Sequence, residues 1–462
     1  MKRDRSHYLV DWLNSKTRKP LVVRGARQVG KTWLIRDLAK SLQRRLVELN
    51  FEKRPDFESL FSSNEPKEII ANIAASQGAI DPSNTILFLD EIQVVPHLLA
   101  KLRWFAEEMP ELPVIAAGSL LDFALADHEF SMPVGRIGYM YLEPLSFEEF
   151  LEAIGRKELR EYLESYHLSK EVPEAIHKEL TTALKEYLVV GGMPAAVSSW
   201  SNDKNLQTIN QIHFDLIATY REDFAKYRGR LNTNRLEDIL TSIPLQLGKK
   251  FVYSHVNSQV NAPSLRQALD LMTKARVCHQ VFATAANGLP LGAEVKEKFF
   301  KVILLDCGLV SAELGLSLHQ LRSVSELILV NSGGLAEQFV GQQLRTLFPS
   351  FASPSIHYWQ RIETHSNAEV DYVIQHKNQM IPIEVKAGKT GTLKSLHQFM
   401  LCKKKNLAVR INSDYPTLSP VQVKTSTGAH LEYTLLSLPF YLLGQLHRLI
   451  ELVEEGEDGK VL

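Results

Sequence analysis

A glycine-rich segment near the N-terminus has the spacing of a phosphate-binding loop. It satisfies the pattern GxxxxGK[ST], and its residues are Gly25, Ala26, Arg27, Gln28, Val29, Gly30, Lys31 and Thr32. Glycines let such a loop curl so that backbone N–H groups point inward, and the positive end of the next helix also attracts phosphate. Lys31 would reach the β- and γ-phosphate oxygens, and the Thr32 hydroxyl would ligate Mg²⁺. The pattern therefore predicts a P-loop that binds ATP with Mg²⁺.

Two acids follow a buried apolar run where a P-loop site requires them. The run covers residues 86–89 and is followed by Asp90 and Glu91, and ligands bind at the carboxyl ends of strands in open parallel sheets. We expect Asp90 to hold Mg²⁺ through water, and Glu91 to orient or activate the water that attacks ATP. In the alternative interpretation the acids only cap the next helix. The P-loop upstream favours the catalytic roles.

Three further residues are candidates for the same site. Ser119 follows another apolar run, residues 113–117, and a polar side chain at such a strand end can touch the γ-phosphate. Arg136 is a candidate γ-phosphate or subunit-interface arginine, and an isolated surface arginine is an equally good interpretation. Arg27 is a candidate phosphate ligand, with solvation at the surface as its alternative.

A second group of charged residues lies near the C-terminus. Residues 369–386 are predicted to form two strands joined by a tight turn, in a register that places Asp371 opposite Glu384. Like charges paired in this way are destabilising unless they are neutralised, and a divalent cation would do so with its preferred oxygen ligands. Period-two alternation puts Lys386 on the same face. In the alternative interpretation this face is solvated, and Glu369 pairs with Lys386 at the surface.

An aspartate followed by Glu-x-Lys on the adjacent strand is the arrangement of PD-(D/E)XK nucleases. In that site the acids bind Mg²⁺, and the lysine steadies the nucleophile or the phosphate charge. Glu337, on the preceding predicted helix, matches the acid that such domains often carry upstream. Pro382 lies inside the second strand and indicates an edge strand or a bulge, of which we favour the edge strand. The spacing alone recurs by chance in most chains of this length.

The predicted elements place these residues in an α/β chain of several domains. Apolar runs alternate with helix-length amphipathic segments at the N-terminus, which is typical of a parallel sheet covered by helices. Strands are predicted at 21–24, 46–51, 85–90, 113–117, 277–285, 296–305, 356–359, 369–375, 380–386 and 407–412. Helices are predicted at 32–42, 98–109, 236–247, 264–274, 334–348, 393–402 and 440–454.

Four domains follow from this order. Residues 1–145 are predicted to form the P-loop domain, 146–227 a helical lid or linker, 228–310 a winged-helix-like region, and 311–462 a nuclease-like domain. The helices and hairpin of 228–310 suit a winged helix, although other small α+β modules share that order. A length of 462 residues agrees with several domains, because one hydrophobic core seldom grows so large.

The composition is that of an ordinary globular protein. Hydrophobic residues make up 45% and charged residues 23%, and the formal net charge is zero. No overall basic field therefore indicates nucleic acid. Three separated cysteines give neither a metal spacing nor a disulfide framework. The N-terminal residues lack the apolar core of a signal peptide, so we expect a cytoplasmic protein without a membrane partner.

The motifs together resemble one family of proteins. The sequences Arg-Gly-Ala-Arg-Gln-Val-Gly-Lys-Thr, Leu-Asp-Glu-Ile-Gln, Ala-Gly-Ser and Pro-Leu-Ser-Phe-Glu-Glu-Phe are similar to those of prokaryotic AAA-type ATPases. In that family a helical and winged-helix region and a nuclease-like C-terminal domain follow the ATPase. The resemblance implies an ATPase core in which Lys31, Thr32, Asp90, Glu91 and Ser119 have the roles given above. It leaves the role of Arg136 open.

Three functions fit these observations. In the first, the nucleotide state of a Mg²⁺-dependent ATPase controls a nuclease-like domain that acts on DNA or RNA. In the second, a signalling or scaffold ATPase carries a nuclease-like domain that has lost cleavage and recognises a protein partner. In the third, ATP is bound tightly and hardly turned over. The expected cofactors are ATP and Mg²⁺, and the candidate partners are DNA, RNA and further copies of this chain.

Overall fold

The computed structural model describes residues 1–119, 121, 133, 135–225, 233–316, 333–363, 366–386, 393–424, 428 and 430–456. These residues contain a five-stranded sheet, in which every pairing is parallel, and an eight-stranded sheet of mixed direction. Helices contact both sheets. The expected α/β class, with a parallel sheet at the N-terminus, is confirmed.

The parallel sheet is covered on both of its faces. Its strands are β1 (Leu21–Arg24), β2 (Arg45–Asn50), β3 (Thr85–Asp90), β4 (Val114–Gly118) and β5 (Gly138–Tyr141), in the spatial order β2-β3-β4-β1-β5. Every residue of β3 is buried. Its side chains alternate between two apolar clusters, with Ile86 and Phe88 in one and Leu87 and Leu89 in the other. A strand buried on both faces has the continuous apolar run that the sequence shows.

Four helices accompany this sheet among the described residues. They are α1 (Arg5–Asn14), α2 (Lys31–Ser41), α3 (Pro66–Gln77) and α4 (Leu98–Glu108). The predicted strands 21–24 and 85–90 have the observed bounds. The predicted elements 46–51, 113–117 and 32–42 are each displaced by one residue, and the predicted helix 98–109 is one residue too long. The helices α1 and α3 and the strand β5 were not predicted.

The middle of the chain is helical, as predicted for residues 146–227. Its helices are α5 (Phe147–Ala153), α6 (Lys157–Ser165), α7 (Glu174–Val190), α8 (Pro194–Asp203), α9 (Leu206–Ala225), α10 (Thr233–Gln246), α11 (Tyr253–Val256), α12 (Ala262–Lys274) and α13 (Cys307–Glu313). Ser146 and Glu149 form a capping box that starts α5. Among the described residues, no helix combines the length and the apolar character that crossing a bilayer needs.

The second sheet occupies most of the C-terminal part. Its strands are β6 (Cys278–Thr284), β7 (Val295–Leu304), β8 (His357–Glu363), β9 (Ser366–His376), β10 (Gln379–Val385), β11 (Leu407–Asn412), β12 (Thr417–Lys424) and β13 (His430–Pro439). Their order is β12-β13-β11-β10-β9-β8-β6-β7. The helices are α14 (Gly334–Thr346), α15 (Lys394–Lys403) and α16 (Leu446–Glu455). Strands β12 and β13 were not predicted.

The hairpin expected as the wing of a winged helix belongs to this second sheet. Strand β6 pairs with β7 on one side and in parallel with β8 on the other, where Phe282 lies beside His357. A division of the chain at residue 310 would therefore run through one hydrogen-bonded sheet. The winged-helix prediction is not confirmed.

The predicted register of the carboxylate hairpin is confirmed, and the predicted edge position is wrong. Met380 pairs with Gln375, and the same register continues to Ile383. Strand β10 lies between β9 and β11, so it is an interior strand. The parallel pairing to β11 begins only at Ile383. Pro382 therefore lies just before the point at which β10 becomes paired on both sides, which explains why an interior strand tolerates a proline.

Two buried polar contacts join the N-terminal part and the helical region to the C-terminal part. Glu143, after β5, accepts hydrogen bonds from Nε and Nη2 of Arg345 on α14, at 3.1 and 2.8 Å. Asp306 accepts bonds from the N–H of Gly192, at 2.6 Å, and from the amide of Gln342, at 2.8 Å. Burial raises the pKa of Asp306 to about 6. These contacts hold three parts of the chain in one arrangement.

Candidate functional site

The P-loop connects β1 to α2 in the geometry that phosphate binding needs. Gln28 and Gly30 have φ angles of 65° and 96°, so two left-handed residues curl the main chain just before α2 begins at Lys31. A Cβ added to Gly25 would lie 2.5 Å from the carbonyl oxygen of Leu142. Only glycine fits there, because the loop passes against the chain that follows β5.

Lys31 lies inside the curl of this loop. Its ammonium donates to the carbonyl oxygens of Gly25 and Ala26, at 3.0 and 2.8 Å. The residue is 7% exposed, and this burial lowers its pKa to about 8. A buried ammonium is stabilised by anionic partners. The position therefore suits an anion such as a nucleotide phosphate.

Oxygen atoms suited to a magnesium ion converge beside the loop. The Thr32 hydroxyl lies 3.3 and 3.2 Å from the two carboxylate oxygens of Asp90, and the amide of Asn50 donates to Asp90 at 3.0 Å. Hydroxyl and carboxylate oxygens are the ligands that Mg²⁺ prefers. Burial, with the nearby charge of Glu91, raises the pKa of Asp90 to about 6. The sequence analysis missed Asn50, although it ends β2 directly beside Asp90.

Glu91 and Ser119 complete the site at neighbouring strand ends. Glu91 has a left-handed backbone with φ 54°, and its carboxylate accepts a bond from the Gln93 amide at 2.6 Å. Ser119 follows β4, which lies between β1 and β3. Its hydroxyl is buried without a hydrogen-bond partner among the described residues. Buried polar groups are normally paired, so this hydroxyl indicates a site for a polar ligand.

The structure does not bring Arg136 to this site. Gly138, two residues later, pairs with Leu21 at the start of β1, whereas the P-loop follows the end of that strand. Arg136 bonds Glu107 at the end of α4, at 2.7 Å, and half of its side chain is exposed. Arg136 therefore lies near the N-terminal end of β1, whereas the P-loop follows the C-terminal end, so Arg136 cannot contact the γ-phosphate of its own chain. A role between subunits stays a prediction.

The acids predicted near the C-terminus converge on a lysine that the sequence analysis missed. The ammonium of Lys301, on β7, lies 2.8 Å from Glu337, 2.7 Å from Glu369 and 3.6 Å from Asp371. We call these four residues the Lys301 cluster. Burial alone would lower the pKa of Lys301, but the three carboxylates raise it well above its usual value. Burial also raises the pKa of Glu337 to about 8.

The remaining residues of the predicted nuclease site lie beside the Lys301 cluster. Lys386 donates to Glu384 at 2.6 Å, so the alternative surface pair between Glu369 and Lys386 is not formed. Asp371 accepts a bond from the backbone N–H of Val385 at 2.8 Å. Burial, together with the charge of Asp371, raises the pKa of Glu384 to about 7. Strands β9 and β10 thus bring the predicted acids together as the register requires.

Comparison with known families assigns the N-terminal part. Residues 17–151 match a family model described as an AAA domain, and this segment contains the P-loop, Asp90 at the end of β3 and the adjacent Glu91. It is an AAA-type P-loop ATPase domain. Residues 181–320 and 332–430 match two models described as domains of unknown function, DUF8612 and DUF4143. No curated protein matches the sequence.

Solved structures resemble the chain only distantly. The Aeropyrum pernix ORC2 protein is 12% identical with a TM-score of 0.34, covering 68% of this chain and 94% of that chain. The RuvB Holliday junction branch migration motor of Thermotoga maritima is 14% identical with a TM-score of 0.28, covering 61% and 90%. The Pif1 helicase from Candida albicans is 18% identical with a TM-score of 0.23, covering 39% and 47%. At these scores the assignment of the ATPase domain depends on its own motifs and family match.

Three residues outside the predicted site, Asp223, Tyr220 and Arg3, contact the P-loop of the ATPase domain. Arg27 makes a bidentate pair with Asp223 on α9, at 2.8 and 2.9 Å, and the Tyr220 hydroxyl donates to the Arg27 carbonyl at 3.0 Å. Arg3 is buried and donates to the carbonyl of Val29 at 2.9 Å. These contacts were not predicted, because the partners lie 26 to 196 residues apart in the chain. Helix α9 therefore rests directly on the ATPase domain's P-loop.

Proposed function

We propose that the protein is a Mg²⁺-dependent ATPase whose nucleotide state is passed through α9 to the helical region and the C-terminal domain. The main observation behind this proposal is that the Thr32 hydroxyl lies within 3.3 Å of both carboxylate oxygens of Asp90. These atoms lie beside a buried lysine in a curled P-loop. Oxygen ligands that suit Mg²⁺ lie next to a loop that suits phosphate, and this combination supports the binding of a nucleotide together with Mg²⁺. The Ser119 hydroxyl, which has no hydrogen-bond partner in the part of the chain that the structure describes, supports a polar ligand at the same place.

Each residue has a distinct part in hydrolysis. Lys31 would exchange its bonds to loop carbonyls for phosphate oxygens, and Thr32 and Asp90 would hold Mg²⁺, directly or through water. The metal, when bound, supplies charge that stabilises the leaving and transferred phosphates. Glu91 would accept the proton of the attacking water, and Ser119 would donate to the γ-phosphate.

Replacement of Lys31 tests the proposal most directly. We expect Lys31→Ala to weaken Mg²⁺-dependent ATP binding roughly 30-fold or more, because a truncated buried charge partner costs about 2–5 kcal/mol. Titration with a fluorescent ATP analogue measures the affinity. Lys40→Ala, an exposed position on the same helix, is the matched control. Wild-type protein that shows no Mg²⁺-dependent ATP affinity would remove the proposal.

The Arg27–Asp223 pair supports the link between nucleotide and helical region. Asp223 is buried and Arg27 is about one quarter exposed, so the pair is stronger than a surface ion pair. ATP offers Arg27 a second anionic partner at the same loop, in competition with Asp223. We therefore propose that binding of ATP draws Arg27 away from Asp223 and releases α9.

The competition predicts a gain of affinity on removing one charge. Asp223→Asn should bind ATP about tenfold more tightly. A hydrogen bond to a charged group contributes about 1.5–3 kcal/mol, and ATP would no longer have to break the charged Arg27–Asp223 pair in order to bind Arg27. Asp215→Asn, exposed on the same helix, should leave the affinity unchanged. Weaker or equal ATP binding by Asp223→Asn would contradict the competition.

Two candidate functions remain for the C-terminal domain. In one, it is a nuclease-like domain that acts on DNA or RNA under control of the ATPase. In the other, it recognises a protein partner without cleavage, and the occupation of its acids by Lys301 favours this function. ATPase rates with and without DNA and RNA separate the two. Stimulation by nucleic acid supports the first, and unchanged rates support the second.

A further inference from the structure

The Lys301 cluster places an ammonium at the point where the acids of the C-terminal domain converge. Lys301 is 2% exposed and comes from β7, within the apolar sequence Phe-Phe-Lys-Val-Ile-Leu. Its partners come from α14 and β9, at 2.7 to 3.6 Å. Lysine is almost never fully buried unless it is paired. The cluster is therefore a built arrangement of one cation with three carboxylates.

An ammonium and a divalent cation solve the same electrostatic problem in different ways. Carboxylates that share a site repel each other, and either a metal or a fixed positive side chain stabilises their charged forms. Lysine carries three donors, and here three carboxylates from two elements surround it. Magnesium would need the same oxygens in an octahedral shell at short distance. The two occupants cannot share these oxygens.

One oxygen of Asp371 and one of Glu384, which a metal would also use, are engaged in other hydrogen bonds. One oxygen of Asp371 accepts the N–H of Val385 at 2.8 Å, and one oxygen of Glu384 accepts from Lys386 at 2.6 Å. The ring of Tyr358, fully buried, lies 5.3 Å from the Lys301 ammonium. Within the described ranges, no group of three or more acid, histidine or cysteine side chains is arranged to hold a metal. The residues present do not fit the Mg²⁺ expected of a PD-(D/E)XK nuclease.

We propose that Lys301 is the resident cation of this acidic site, and that the C-terminal domain takes no divalent metal there. The ammonium fixes α14 and β9 together and leaves the site without a metal-activated water. The inference deepens the second candidate function, recognition without cleavage, and it does not depend on ATP hydrolysis. The specific alternative is a cation between Asp371 and the second oxygen of Glu384, which is buried and has no partner among the described residues.

Counting bound Mn²⁺ in full-length, nucleotide-free protein tests the inference. Electron paramagnetic resonance of free Mn²⁺ would be compared for wild type, Asp371→Asn, Lys301→Met and the double variant. We expect wild type and Asp371→Asn to bind equal numbers of ions. Lys301→Met should gain one Mn²⁺ per chain, and the double variant should lose it. Lys298→Met, at an exposed position of β7, is the matched control and should gain none.

Two results would overturn the inference. One is a Mn²⁺ ion that wild type binds and Asp371→Asn does not, because the native site would then hold a metal beside Lys301. The other is folded Lys301→Met that gains no Mn²⁺. If Lys301→Met does not fold, Lys301→Gln takes its place. If neither variant folds, the comparison of wild type with Asp371→Asn decides alone. ATP binding is measured on the same samples. A loss of ATP binding would count against the proposed ATPase function, whereas the Mn²⁺ counts test only the Lys301 cluster.

Discussion

Glu91→Gln should lower the rate of ATP hydrolysis by about 10²–10⁴-fold while Mg²⁺-dependent ATP binding persists. Glutamine keeps the size and a hydrogen-bonding oxygen of glutamate, but it cannot accept a proton from the attacking water. The bonds that join Thr32 to Asp90 do not involve Glu91, so the proposed magnesium ligands stay in place. Steady-state phosphate release and ATP titration on the same preparation measure the two quantities.

The control for this variant is a second neutralised acid. Glu108→Gln, exposed at the end of α4, should hydrolyse ATP at the wild-type rate. Equal hydrolysis by Glu91→Gln and wild type would show that another group activates water. A slow wild type that Glu91→Gln does not slow further would instead favour tight binding with little turnover, the third function considered.

Arg345→Met should destabilise the protein by about 3–5 kcal/mol, because it removes the charged side chain that donates two hydrogen bonds to the buried carboxylate of Glu143. Glu143 is 6% exposed and Arg345 is 4% exposed, and two hydrogen bonds join them. Burial alone would raise the pKa of Glu143, but Arg345, with His279 and Arg276, lowers it to about 2. Urea unfolding followed by tryptophan fluorescence measures the change in free energy.

The same pair gives a dependence on pH with a defined sign. The pKa of Glu143 is lower in the folded protein than its ordinary value of 4.5. Its contribution to stability is therefore present above about pH 4.5 and is lost as pH falls toward about 2. The difference between the unfolding free energies of wild type and Arg345→Met should therefore become smaller as the pH falls from about 4.5 to about 2.

Two companion variants show whether the lost pair is the cause. Arg345→Met combined with Glu143→Gln should recover part of the stability, because no buried charge is then left alone. Arg54→Met removes the exposed pair with Asp56 and should leave the unfolding midpoint unchanged. A single Arg345→Met variant as stable as wild type would contradict the assigned role of the pair.

Local pattern was enough to predict which N-terminal residues lie together beside the P-loop. The loop from Gly25 to Thr32 and the acids after β3 are set by short sequences, and the same rule that places ligands at strand ends would have found Asn50. The register of β9 with β10 was also predictable, because a tight turn fixes pairing over the following residues. These features depend on neighbours that are near in the sequence.

Contacts between distant segments were beyond the sequence. The position of Lys301 within the apolar run of a predicted strand indicates that it needs a partner, but it does not show that the partners are Glu337, Glu369 and Asp371. The partner of Arg27 is 196 residues away, and only the packing of α9 reveals it. Pro382 was assigned to an edge because the rule for proline does not show where β11 begins to pair. Arg136 was a candidate by residue type alone.

The pairing of β6 with β8 limits how this protein can be taken apart. A fragment beginning at residue 311 would lack β6 and β7 and would leave one side of β8 without hydrogen bonds. Open strand edges of this kind pair with other chains and cause aggregation. Recombination between relatives, or the cloning of the C-terminal unit by itself, would preserve the sheet only with a junction ahead of Cys278.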